Sequence, residues 1–212
     1  KNYFLAAENG YPVMDYEKFF SLMREKVDFA QYIDLTDTLS LQSYYRTDLH
    51  WRQEMLAPTA RALADAMGVS LTGDFTEVTL DTPFYGVYRG QSALPMEPDK
   101  LAYLTNDTIE SCRVYDYENS EYLHVYTLEK ADGSDPYEIF LSGPKSLLRI
   151  ENPNAQTERK LLVFRDSFAA SLLPLLAEGY SEITLVDIRY LSPSMLGRFI
   201  DFTAQDVLFL YS

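Results

Sequence analysis

Two short stretches far apart in the chain carry the side chains that could do chemistry. The first, Tyr45-Arg46-Thr47-Asp48-Leu49-His50-Trp51, sets an aspartate two residues ahead of a histidine. The second runs Leu161-Leu162-Val163-Phe164-Arg165-Asp166-Ser167-Phe168, four apolar residues and then a polar turn that ends in a serine. A hydroxyl nucleophile, an imidazole base and a carboxylate to orient it are the parts of a serine acyl-transfer site. Each residue also has an ordinary explanation when taken singly. A serine between a strand and a helix is most often a cap, Asp166 is a favourable charge near a helix start, and Trp51 reads as a packing anchor. The combination is more specific, because only two histidines occur and one of them lies in Asp-x-His-Trp. The expectation is that the two stretches meet in space.

The elements that must position them follow from periodicity. Residues 161–164 read as a buried strand, 168–178 as a helix kinked at Pro174 and ended by Gly179, and Ile183 to Asp187 as a second strand. A helix near Ser194 to Phe202 and a strand from Val207 to Tyr211 complete the run. Strands alternating with helices of this length imply a parallel sheet with right-handed crossovers. Such sheets bind ligands at the carboxyl ends of their strands. That edge would carry Ser167, Asp187 to Tyr190, and Tyr211-Ser212.

Ahead of this unit, Asp15 can cap a helix through Ala30, and Tyr32 to Leu35 reads as a short strand leading to Asp48. After Trp51, the residues Leu56, Ala60, Leu63, Ala64 and Met67 mark one helical face that stops at Gly68, with Pro58 either kinking it or starting a second piece. From residue 75 to 142 the texture changes to short Tyr-, Val- and Thr-rich runs: Thr76 to Leu80, Arg113 to Tyr117, Tyr122 to Leu128 and Tyr137 to Leu141. Ala131-Asp132-Gly133-Ser134 is the expected hairpin turn between the last two. The reading is one domain over residues 1–212 with an antiparallel β-rich insertion at 75–142.

Composition narrows the function classes. The apolar fraction of 47%, with 12 Phe and 17 Tyr, is ample for a packed core and argues against low-complexity disorder. A net charge of −14 disfavours nucleic acid and anionic lipid surfaces as partners. A lone cysteine, Cys112, excludes an internal disulfide framework. Asp48 and His50 could be two metal ligands, but no third ligand cluster has suitable spacing, so no metal and no cofactor is expected. His124 alternates like a structural strand residue. No run approaches the roughly 18 apolar residues of a spanning helix. The start at Lys1, without a signal-like apolar segment, suggests a trimmed or processed product.

The quoted residues resemble a known family. Asp48-Leu49-His50-Trp51, preceded by Tyr44-Tyr45-Arg46-Thr47, is similar to the signature of the DHHW proteins, a bacterial group named for Asp-His-His-Trp. Ile150-Glu151-Asn152-Pro153-Asn154, Leu161 to Phe168 and Val186-Asp187-Ile188-Arg189-Tyr190-Leu191 resemble the rest of that pattern. DHHW proteins are related to the SGNH hydrolase-like domains of the alginate O-acetylation machinery. The resemblance implies an α/β, SGNH-like (flavodoxin-like) three-layer parallel sheet, circularly permuted, with a catalytic triad of Ser167, His50 and Asp48.

It further implies a serine-dependent esterase or O-acetyltransferase acting on acyl esters of envelope or extracellular glycans. Its setting would be extracytoplasmic, with envelope-anchored proteins as possible partners. A non-catalytic carbohydrate-binding or scaffold module on the same fold is the alternative. Arg165 stands where many SGNH enzymes have glycine, and is expected either to bind an anionic substrate or to pair with a carboxylate. Leu141-Ser142-Gly143-Pro144 replaces a Gly-Gly-Asn-like turn and so lacks an asparagine donor for the oxyanion. Arg189 and Tyr190 either supply the missing donor or pack and pair structurally.

Overall fold

The computed structural model describes residues 1–10 and 12–212. Two helices, α1 (Asn2–Asn9) and α2 (Tyr16–Lys26), precede the functional loop. Asp15 caps α2 as expected, its side chain accepting from the Lys18 N–H. The expected strand at Tyr32 to Leu35 is absent; irregular chain runs there into a 3-10 turn at Thr36–Thr38. The Asp34 carboxylate accepts from the Thr36 N–H and hydroxyl, a local turn that competes with strand pairing.

Helix α3 (Ala57–Ala66) carries Pro58 in its first turn rather than being kinked by it. In the first helical turn the missing N–H of proline costs nothing. Beyond α3, Gly68 turns the chain with φ of 69°, a left-handed conformation that glycine adopts freely.

The central region departs most from expectation. Strand β1 (Thr76–Phe84), helix α4 (Val87–Ser92) and strand β2 (Asp99–Thr105) come first. β1 and β2 form a separate antiparallel pair whose register shifts between Thr79 and Pro83. Helix α5 (Asp107–Ser111) leads into β3 (Arg113–Asp116) and β4 (Glu121–Leu123), which join the main sheet. The strand expected at 122–128 ends at Leu123, and Ala131 to Ser134 is no hairpin turn, since a 3-10 helix occupies Leu128–Asp132. Tyr137 to Leu141 is likewise not a strand, since Tyr137 to Ile139 belong to a 3-10 turn at Pro136–Ile139. Pro136 cannot donate to a ladder, and the Asp135 carboxylate takes the Tyr137 N–H as a cap.

The remaining elements are β5 (Leu147–Glu151), β6 (Lys160–Arg165), α6 (Ala169–Leu172), β7 (Glu182–Val186) and β8 (Asp206–Leu210). After α6 the chain tightens to a 3-10 helix over Leu173–Gly179, with Pro174 in its first turn. The helix expected near Ser194 is a 3-10 stretch at Pro193–Arg198. The main sheet has the order β4-β3-β5-β7-β6-β8. β6 pairs in parallel with both β7 and β8, while β5–β7, β3–β5 and β3–β4 are antiparallel. The parallel pairing expected for the last three strands is observed, while β5, β3 and β4 extend the sheet antiparallel and make it a mixed one. The short link between β3 and β4 forces antiparallel pairing, because a parallel pair needs a crossover of a dozen or more residues.

β6 lies at the centre of the parallel part. Its Leu161, Leu162 and Val163 are fully buried, as strands covered on both faces must be. One sheet face holds the main core, with Leu161, Val163, Leu172, Leu176, Tyr45 and Tyr137 among its members. The other face carries a smaller cluster around Leu147, Leu162, Val186, Leu196 and Ile200.

Candidate active site

The spacing of Asp48 and His50 has a local cause. Tyr44 and Trp51 form an antiparallel bridge, and the Tyr45 N–H donates to the His50 carbonyl at 3.2 Å, so residues 46–49 are the tip of a tight loop. Within that tip Asp48 Oδ1 accepts the His50 N–H at 2.8 Å, an Asx turn, which brings the carboxylate beside the ring two residues on. The same oxygen lies 2.6 Å from His50 Nδ1.

An ionised carboxylate only accepts, so Nδ1 carries the proton and Nε2 of the neutral ring is left as an acceptor. Nε2 lies 2.8 Å from Ser167 Oγ, within the range of a nucleophile–base hydrogen bond. The two stretches meet. Asp48 is 2% exposed, His50 9%, and Ser167 is half-buried, so the acid is hidden while the nucleophile remains reachable.

Burial acts to raise the Asp48 pKa. It is outweighed by hydrogen bonds from the His50 ring, the His50 N–H and the Val87 N–H, which leave the carboxyl below its ordinary range. Asp48 Oδ2 receives the Val87 N–H at 3.0 Å. That contact needs Gly86: a Cβ there would sit 2.2 Å from Asp48 Cβ and 2.6 Å from the Thr47 carbonyl. Asp99 holds the other side of the tip, taking the Thr47 N–H and hydroxyl on Oδ2 and the Arg46 N–H on Oδ1. Lys1 Nζ also donates to the Asp48 carbonyl at 2.8 Å.

Ser167 follows β6 at the edge anticipated for it. The Phe168 N–H donates to Asp166 Oδ1, and Asp166 Oδ2 accepts from the N–H and hydroxyl of Ser212. Among the described residues the Ser167 N–H has no internal acceptor, which leaves it available to an oxyanion.

The other expected site residues are placed differently. Arg165 is 1% exposed, and among the described residues no carboxylate lies within ion-pair distance of it. Its expected pairing is thus corrected. Its guanidinium donates to the carbonyls of Lys145 and Asp166, and its Nε has no partner among the described residues. Arg189 is committed to Asp187, with Nε donating to Oδ1 at 2.9 Å and a second bond to Oδ2. Asp187 is fully buried, which makes the pair a structural one. Tyr190 is 59% exposed and its ring lies beneath the Arg189 guanidinium.

The replacement turn runs left-handed through Leu141, Ser142 and Gly143, with φ of 53°, 61° and 84°. Cys112 is buried, which pushes its thiol up to about 11 and keeps it out of thiolate chemistry at neutral pH. His124 lies just beyond β4 and is exposed. Sequence reasoning missed Gly86, Val87, Asp99 and Tyr137 as parts of the site. None sits in a motif, and their contacts with the site join segments far apart in sequence.

A mixed α/β sheet presenting a serine–histidine–aspartate chain at a strand end defines the class of protein. Comparison with solved structures bears on the fold. The chain resembles a DHHW family protein from Eubacterium siraeum, at 22% identity and a TM-score of 0.64, over 80% of this chain and 59% of that one. It also resembles Bacillus cereus PatB1, at 22% identity and a TM-score of 0.61, over 81% of this chain and 62% of that one. A structure of PatB1 with a sulfonyl adduct matches with a TM-score of 0.60. The chain therefore spans about 60% of the length of these proteins. The likeness supports the DHHW relation at the level of the fold. No family model and no curated protein matches the chain.

Proposed function

We propose that this chain is a serine-dependent esterase or O-acetyltransferase for acyl esters of envelope or extracellular glycans, built on a permuted SGNH-like domain and working outside the cytoplasm. The observation that carries the reading is the continuous path Asp48 Oδ1–His50 Nδ1, 2.6 Å, and His50 Nε2–Ser167 Oγ, 2.8 Å. A scaffold that had lost its chemistry would have no need of that alignment. The fold shared with a DHHW protein and PatB1 supports the same direction.

In this reading Ser167 Oγ attacks the ester carbonyl while its proton passes to His50 Nε2. Asp48 holds the Nδ1 tautomer and stabilises the imidazolium. The Ser167 N–H stabilises the oxyanion, and the ester C–O bond breaks as His50 returns the proton to the leaving alcohol. A second alcohol or water then gives its proton to His50 and attacks the acyl-serine, and His50 returns that proton to Ser167 Oγ as the acyl–Oγ bond breaks. Water makes an esterase, and a sugar hydroxyl makes a transferase.

The test is incubation with an activated acetyl ester, followed by intact mass and product release for the wild type and Ser167→Ala. An adduct or turnover lost in the variant is the expected result. Equal background in both proteins overturns the proposal.

A further inference from the structure

We infer that Tyr137 is a positioning residue of the Ser167–His50 pair, holding both partners at once from a third segment of the chain. The inference rests on the proposed acyl-transfer chemistry. The Tyr137 ring lies flat against the imidazole, with centroids 4.0 Å apart and planes 13° from parallel. Phe168 meets the same imidazole at 4.9 Å and a tilt of 47°. Stacked on Tyr137, tethered to Asp48 and hydrogen-bonded to Ser167, the imidazole has little freedom to tip out of plane.

The far end of Tyr137 does a second job. Its hydroxyl bonds to Ser171 Oγ at 2.9 Å, one helical turn beyond the nucleophile. Ser171 Oγ in turn donates to the Phe168 carbonyl, and the Ser171 carbonyl accepts from Gln53 Nε2 at 2.6 Å, three residues beyond His50. One rigid side chain thus links the base to the helical turn that follows the nucleophile. Its own backbone is pinned where the Asp135 carboxylate takes its N–H, and the residue is 5% exposed. A shift of about 1 Å between reacting groups can cost on the order of 10²-fold in rate, so a strut between them bears directly on function.

The two contacts separate by mutation. Tyr137→Phe keeps the ring face and loses the tie to Ser171, whereas Tyr137→Leu loses both. We would measure the rate of Ser167 labelling by phenylmethylsulfonyl fluoride, read by intact mass. The low-field proton of the Asp48–His50 hydrogen bond would be followed in parallel by NMR. Tyr137→Phe is expected to label about three- to tenfold more slowly, the loss of one hydrogen bond, with the low-field proton retained. Tyr137→Leu is expected to label on the order of 10²-fold more slowly and to broaden that proton.

A folded Tyr137→Leu that labels within threefold of wild type and keeps the proton overturns the inference. Should Tyr137→Leu not fold, Ser171→Ala decides. It should match Tyr137→Phe, with the double variant no slower than either; wild-type labelling in all three overturns the inference. A wild type that fails to label at all refutes the acyl-transfer reading, while the low-field proton still reports whether Tyr137 orders the imidazole.

Discussion

The strands β6, β7 and β8 and the stretch from residue 75 to 142 contribute to the same site in opposite ways. The first presents Ser167 on a regular scaffold: a central strand buried on both faces, parallel neighbours on each side, and a turn at its carboxyl end. The second works from the ends of short elements, supplying the Val87 N–H at the start of α4, the space at Gly86 before it, the Asp99 carboxylate at the start of β2 and the Tyr137 ring from a 3-10 turn. A nucleophile can be delivered by one element, but an acid and base on a loop tip must be held from several directions. Element ends do this because their backbone groups are not yet consumed by helix or ladder hydrogen bonds.

That contrast can be broken, and the largest expected effect comes from the loop tip. Asp48→Asn should lower turnover of an activated acetyl ester by about 10⁴, because an amide no longer dictates the Nδ1–H tautomer. A loss below tenfold would mean that Asp48 only shapes the loop. Gly86→Ala tests the second region itself, since its new Cβ would meet Asp48 and Thr47 at 2.2 to 2.6 Å. The expectation is a fall of about 10² in turnover, accompanied by a loss of about 1–3 kcal/mol in urea denaturation from overpacking. Unchanged turnover in Gly86→Ala would show that the clamp on Asp48 is dispensable.

Arg189 sharpens the comparison from the regular side. Arg189→Gln should cost about 1 kcal/mol by removing a half-exposed partner of buried Asp187, with turnover within about twofold of wild type. A drop of about 10² or more would instead assign Arg189 to the oxyanion.

The smallest effect is expected in the acid dependence of stability. With its folded pKa below the unfolded value of about 3.9, Asp48 contributes stability that is fully present above that value. This contribution is lost as the pH falls through the lowered folded pKa. Urea midpoints of wild type and Asp48→Asn should therefore differ by a constant amount from pH 5 to 8 and converge below about pH 4. A gap that widens in acid would contradict the sign.

Legibility in the sequence followed the same division. The apolar run Leu161 to Phe164, the strand at 183 and the strand at 207 appear within a residue or two of where periodicity puts them. Continuous burial leaves a one-dimensional trace in β6 and β7, whereas the half-exposed edge strand β8 is marked by its β-branched and aromatic residues. In the region from 75 to 142 the strands expected at 76–80 and 113–117 are present, but those at 122–128 and 137–141 misled, because Tyr, Val and Thr favour strands only where a neighbour offers a ladder. Around Tyr137 the local chemistry of Asp135 and Pro136 made a 3-10 turn instead. Arg189 pairs with Asp187 only two residues away, a contact within reach of the sequence, whereas Arg165 turns to the Lys145 carbonyl twenty residues back, which sequence order does not reveal.

The sequence by itself determined the chemical identity of the site: one serine after a buried strand, and one aspartate–histidine pair whose two-residue spacing is closed by a local Asx turn. Those are short-range facts, set by covalent connectivity and by hydrogen bonds within a few residues. Only the tertiary structure decided that the pair faces the serine at 2.8 Å, that Gly86 and Val87 back the acid, and that Tyr137 braces the base. Such contacts join segments dozens of residues apart, and they form because burying the core around β6 draws those segments to one edge of the sheet.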